Sequence, residues 1–160
     1  MMPLRALLAA LLSPFAATAC LADTLTYENE RFGTTVTFPL ETFDLIAPPP
    51  ANGDGRRFLS GDGAELAAYG QFNSLDQTPE TLVEWKTGII EEDGGTVTYS
   101  TSGEAWAVLS GRDGETTFYE RHEFSADGNV IHSMEMRYPT AASAHYHNLV
   151  EKVAETLEGP

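Results

Sequence analysis

Polar and apolar residues alternate along much of the chain, and a period of two marks strands. Thr34 to Phe38 alternates β-branched and aromatic residues up to Pro39, while Arg57 to Ser60 is a short apolar-centred run between glycine-rich turns. Gly61-Asp62-Gly63 turns into Glu65 to Phe72, which predicts a hairpin between those two runs. Farther on, Thr96 to Ser100, Glu104 to Ser110, Thr116 to Phe124 and Asn129 to Tyr138 resume the alternation. Arg112-Asp113-Gly114 and Ala126-Asp127-Gly128 separate the last three runs and predict an antiparallel meander.

Two segments carry helical spacing instead. Thr78-Pro79-Glu80 has an N-cap hydroxyl, a proline at the first helical position and a carboxylate at the positive end of the dipole. Leu82, Trp85 and Ile89 follow at one-face spacing, with Trp85 expected in the core, and Asp93-Gly94-Gly95 stops the helix. After Pro139-Thr140, Tyr146, Leu149, Val153 and Leu157 make an apolar stripe to about Leu157. The stretch from Ala47 to Gly55 holds three prolines and two glycines; it cannot extend a ladder or a helix and is read as a loop or arm.

A three-residue loop with glycine third suits a type I turn plus bulge, which sets a register for the last hairpin. It pairs Phe124 with Val130, His122 with His132 and Phe118 with Met136. One sheet face then collects these residues with Met134 and Tyr138, and Arg121 and Glu123 stay clear of the apolar row. The fold class expected is α+β, an antiparallel β-sheet with helices packed on it.

The opening Tyr27-Glu-Asn-Glu-Arg-Phe-Gly33, followed by Val36-Thr-Phe-Pro39, resembles exported bacterial proteins of the PsbP/Mog1-like group. The later order is similar: a Gly-Asp-Gly hairpin, a helix after Thr78-Pro79, a meander, then Tyr138-Pro139 and a C-terminal helix. The resemblance spans most of residues 27 to 157 and implies an α/β/α sandwich. It also implies a non-catalytic binding or assembly module, as plant members attach to photosystem complexes and a fungal relative binds a small GTPase. No functional residue is carried over from it.

Composition narrows the partners. The 160 residues include 24 acidic and 9 basic side chains, for a net charge of −15, so the chain repels phosphate and neither nucleic acid nor an anionic membrane surface is expected. Residues 1 to 22 read as a secretory signal peptide, with Arg5 ahead of an apolar run from Ala6 to Ala17 that is too short to span a bilayer. Cleavage after Ala22 is favoured, with Cys20 and Ala22 as the small residues before the cut. The competing reading makes Cys20 a lipidated first residue, against which stands the missing leucine three positions earlier. A periplasmic or secreted protein follows, with a single domain over residues 23 to 160 and no thiol chemistry.

Nucleophile-elbow, zinc-finger and P-loop patterns are absent from the sequence, and no cofactor is implied. The short Asn-Gly-Asp-Gly and Gly-Asp-Gly runs lack the spaced oxygen ligands of a calcium loop and read as turns. His145 and His147 point roughly 160° apart on a helix and do not chelate. More telling is the group Glu120, His122 and His132, with Glu104 placed opposite His122: cross-strand imidazoles beside carboxylates can hold Zn²⁺ or shift a histidine pKa. Arg56 and Arg57 are a small basic island, and Trp106 is either core or the floor of a pocket. The function expected is an exported, non-catalytic binding or assembly module that meets an envelope protein or small ligand through the proline-rich arm and the Arg56/Arg57 loop. The alternative is a metal-dependent or acid–base enzyme centred on the His122/His132 face.

Overall fold

The computed structural model describes residues 23–160, so the signal peptide and Cys20 lie outside the described residues. Strands β1 (Thr24–Glu28) and β2 (Thr35–Pro39) pair as a separate antiparallel hairpin. The main sheet contains β3 (Leu45–Ile46), β4 (Gly55–Leu59), β5 (Glu65–Phe72), β6 (Thr96–Ser102), β7 (Trp106–Asp113), β8 (Thr116–Phe124) and β9 (Val130–Pro139). Its order is β3-β4-β5-β9-β8-β7-β6, antiparallel throughout. The expected α+β architecture is present, with the β4–β5 hairpin and the β7–β8–β9 meander, but β7 starts at Trp106 and runs through Arg112 and Asp113, so the turn expected there is the two residues Gly114-Glu115; β1 and β3 are additional.

Helix α1 (Pro79–Glu92) begins as its sequence dictates, with the Thr78 hydroxyl accepting from Thr81 N–H and the Thr81 hydroxyl returning to Thr78 N–H. Helix α2 (Ser143–Ala154) follows a 3₁₀ turn at Thr140–Ala142, and its buried face is Tyr146, Val150, Val153 and Ala154. It ends before Leu157, which is buried from the segment that follows.

The two covers sit diagonally. On one face, α2 and the β1–β2 hairpin close over β4, β5 and β9, burying Phe38, Phe58, Leu66, Met134, Met136 and Tyr146 in the larger core. On the other face, α1 packs mainly on β6 and β7, and Leu82 meets Ala107 and Ile131 in a smaller core. Each sheet face therefore has one covered half and one open half, and a groove runs along each open half.

The last hairpin departs from the expected register. Its loop has four residues, Ala126 to Asn129, because the Ser125 hydroxyl and the Asp127 carboxylate bond the backbone of Val130 and Asn129, and Ser125 N–H donates to Val130 C=O. The pairing slides by one residue: Phe124 faces Ile131, His122 faces Ser133, Glu123 faces His132 and Tyr119 faces Met136. One step of slip moves every side chain to the other face. Arg121 and Glu123 do lie beside the methionine row, yet they meet no penalty because that part of the face is open and they pair with each other, Nε to Oε1 at 2.8 Å.

Candidate functional site

The slip separates the two histidines. His122 points under α1 and His132 points to the opposite face, so the cross-strand imidazole pair does not form and the metal or acid–base site built on it is overturned. Glu104 is not opposite His122 either; Ala107 holds that place. Among the described residues no group of three histidine, cysteine or carboxylate side chains is arranged to hold a metal ion.

What forms instead beneath α1 is a buried polar relay. The Ser133 hydroxyl lies 2.8 Å from His122 Nδ1, and His122 Nε2 lies 3.2 Å from Glu120 Oε2. Lys86 of α1 reaches down to Glu120 Oε2 at 2.6 Å and to Glu135 Oε1 at 3.5 Å, and the Tyr69 hydroxyl donates to that same Glu135 oxygen at 2.7 Å. Burial pushes the His122 pKa below its ordinary value, against a smaller opposing pull from Glu120. The ring is thus neutral, donating from Nε2 to Glu120 and accepting at Nδ1 from Ser133. For Glu120, burial alone acts upward, but the His122 hydrogen bond and the Lys86 ammonium outweigh it and hold the carboxyl below its usual range. Tyr69 is pushed well upward, by burial first and by Glu135 second, and stays a phenol donor.

Serine, histidine and carboxylate in series have the order of a nucleophilic triad, but access decides against that use. Ser133 is wholly buried in the middle of a central strand and His122 is 2% exposed, so no reacting carbonyl can approach the hydroxyl. The relay satisfies buried polar groups and ties α1 to the sheet.

His132 has a different structural part. Its Nδ1 is 2.8 Å from Thr34 Oγ1, its Nε2 is buried without a partner among the described residues, and Gly159 sits against its ring, where a Cβ would collide. Burial lowers its pKa, so it too is neutral.

The remaining sequence-derived candidates are distributed around the open halves. Arg56 and Arg57 alternate across β4. Arg57 lies on the α1-side face with a 3.4 Å ion pair to Glu65, whereas Arg56 reaches the Ala47 carbonyl at 3.4 Å at the root of the proline-rich loop. Around them a groove of about 620 Å³ runs between Pro48 and Pro50 of that loop and a floor of Ala67, Tyr69 and Glu135. The loop is held by Asn29 to the Gly53 carbonyl and by Arg31 to the Asn52 carbonyl, so it is a fixed wall and not a free arm. Both Gly-Asp runs are turns, as expected, with Gly53 and Gly63 at positive φ. Trp106 borders a second groove, of about 640 Å³, on the opposite open half-face, with Arg121 Cζ 5.5 Å from its ring centroid. His145 and His147 are exposed on separate sides of α2.

Lys86, Tyr69, Ser133 and Glu135 escaped the sequence reading. The signal for Lys86 was present: Leu82, Val83, Lys86 and Ile90 form the inward stripe of α1, and Trp85 and Ile89, expected inside, are 48% and 40% exposed. Hydrophobicity alone ranks a tryptophan above a lysine for the inner face, yet a lysine stem buries readily if its head finds carboxylates.

Comparison with family models and with curated proteins gives no match. Among solved structures, the chain is similar to the solution structure of cyanobacterial PsbP (CyanoP) from Synechocystis sp. PCC 6803. The TM-score is 0.65 at 11% identity, over 93% of this chain and 99% of that one. The fold is therefore PsbP-like, an α+β sandwich as expected, and at this identity the likeness extends to the fold alone. No helix among the described residues is long and apolar enough to cross a membrane.

Proposed function

We propose that this PsbP-like fold serves as an exported, non-catalytic binding module, matured by cleavage after Ala22 to a single domain over residues 23–160. One observation carries the reading. The residue set with catalytic composition, Ser133, His122 and Glu120, is closed beneath α1, while the solvent-facing concavities are bordered by Arg57 and Trp106. In the first groove, Arg57 and the rigid wall of Pro48 and Pro50 face a floor whose Tyr69 and Glu135 are already hydrogen-bonded. Such a surface is preorganised, so a partner that docks there orders little of the protein. An envelope protein is the partner class that the signal sequence favours.

Affinity capture from native envelope extract, with residues 23–160 as bait and Arg57→Glu as control bait, tests the surface. Arg57 is chosen because its side chain is 64% exposed and its ion pair is a surface one, so reversal leaves the fold intact. Enrichment of one protein by the wild type and its loss in the control are expected; no enrichment, or equal enrichment by both baits, refutes the reading. Export is checked separately by the N-terminal sequence of the protein recovered from a periplasmic fraction, expected to begin at Asp23.

A further inference from the structure

The groove beside Trp106 lies on the opposite sheet face from Arg57 and has a chemistry of its own. We propose that it is a binding site for a neutral oligosaccharide, independent of the docking surface above. Its floor is the open half of β7 and β8, including Val108, Ser110, Tyr119 and Arg121; Tyr99 of β6 forms one rim, and His147 and Glu151 of α2 form the other. At about 640 Å³ it falls within the range of about 300–1,000 Å³ typical of small-ligand pockets.

Three features select the ligand class. Tyr99 is 56% exposed where a β-bulge shifts the register of β6, and it pairs with Ser110, which also lines the groove. An aromatic ring next to hydroxyls on a sheet matches a pyranose, which offers apolar C–H faces to stack and a rim of hydroxyls to bond. Next, the groove carries no net charge to demand an anion: Arg121 is paired with Glu123 and stacked on Trp106, and the other charged lining residues, Arg112 and Glu151, are opposite in sign. In a chain of net charge −15, an anionic ligand would also meet long-range repulsion. Finally, Trp106 is braced between Arg121 and the backbone of Gly103, where a Cβ would collide with the indole, so the wall is rigid before any ligand arrives.

The protein supplies its own reporter. Trp85 and Trp106 are its two tryptophans and lie on opposite faces, so Trp85→Phe leaves Trp106 emission to report on the groove alone. Cellobiose, chitobiose and maltose are titrated into this variant and, as the anionic control, digalacturonate. A saturable change in Trp106 emission with at least one neutral disaccharide is expected, with a Kd of about 1 mM or tighter, and Tyr99→Ala should weaken it about tenfold or more. Tyr99 is exposed, so its removal does not unfold the protein, and circular dichroism checks this. Three outcomes overturn the proposal: no saturable response to any neutral disaccharide, a response unchanged by Tyr99→Ala, or saturation by digalacturonate alone. Each leaves the Arg57 capture result standing on its own.

Discussion

Replacing Lys86 by methionine separates two accounts of the relay. If the Lys86–Glu120 contact behaves like a surface pair, its loss costs about 0–1 kcal/mol. The structure argues for more. The Lys86 side chain is 16% exposed, Glu120 is 8% exposed, and their 2.6 Å contact sits between α1 and the central strands. Removing one member of a buried pair strands the other charge at a cost of about 3–5 kcal/mol. Residual water at Lys86 places the expected loss near the lower end, about 3 kcal/mol, and methionine keeps the aliphatic stem so that packing is conserved. Urea unfolding at neutral pH measures it: with a slope of about 1–3 kcal/mol/M, the midpoint falls by roughly 1–3 M. Adding Glu120→Gln should restore most of the loss, since an amide leaves no unpaired buried charge, giving a coupling of about 2 kcal/mol in the double-mutant cycle. A single-mutant loss under about 0.5 kcal/mol, or no recovery in the double mutant, refutes the account of α1 as held by this ion pair.

Stability should fall on acidification from near neutrality. His122 and His132 have folded pKa values below 6.5, so the unfolded chain binds protons first; their contribution is complete above that value and is lost as pH falls toward the folded pKa values. Denaturation between about pH 5 and pH 8 should show a positive slope of stability with pH, reduced in His122→Asn, and a flat profile would contradict the burial of both rings. Among glycines, Gly111→Ala should destabilise by about 1–3 kcal/mol, because its Cβ meets the Thr96 carbonyl and lies 2.7 Å from Phe118 Cζ. Gly88→Ala, in α1 with nothing within 4 Å, should stabilise by about 0.5–1 kcal/mol; thermal melts that rank the two in the other order would refute the packing argument.

Most of the scaffold was legible because its signals are local. Thr78-Pro79 starts α1 by capping chemistry, and the alternation of Glu65 to Phe72 and Thr116 to Phe124 marks β5 and β8 at their observed bounds. Register was not legible to the same degree, because it turned on one side-chain contact: the Ser125 hydroxyl to Val130 N–H opens the turn by a residue. The rule that kept Arg121 and Glu123 off the methionine face assumed that a face is buried along its whole length, whereas this one is covered only where α2 reaches. From that single step followed the mistaken histidine pair and the missed relay. Strand β3 is two residues long and gives no periodicity, and β1 is a five-residue run just past the predicted cleavage point.

The place of β9 between β5 and β8 governs the order in which the sheet assembles. The β4–β5 hairpin and the β6–β9 meander each join neighbours in sequence, so each closes at small entropic cost. The seam between them pairs Glu65 with Arg137 and Phe72 with Val130, across a stretch that includes α1 and three strands. Loop-closure entropy makes such long-range pairings slow relative to local ones. A chain that has emerged only as far as β8 therefore carries two preformed halves with the sheet's centre unfilled; the strand bearing Ile131, Met134 and Met136 then supplies residues to both cores at once, and α2 closes the larger one after it.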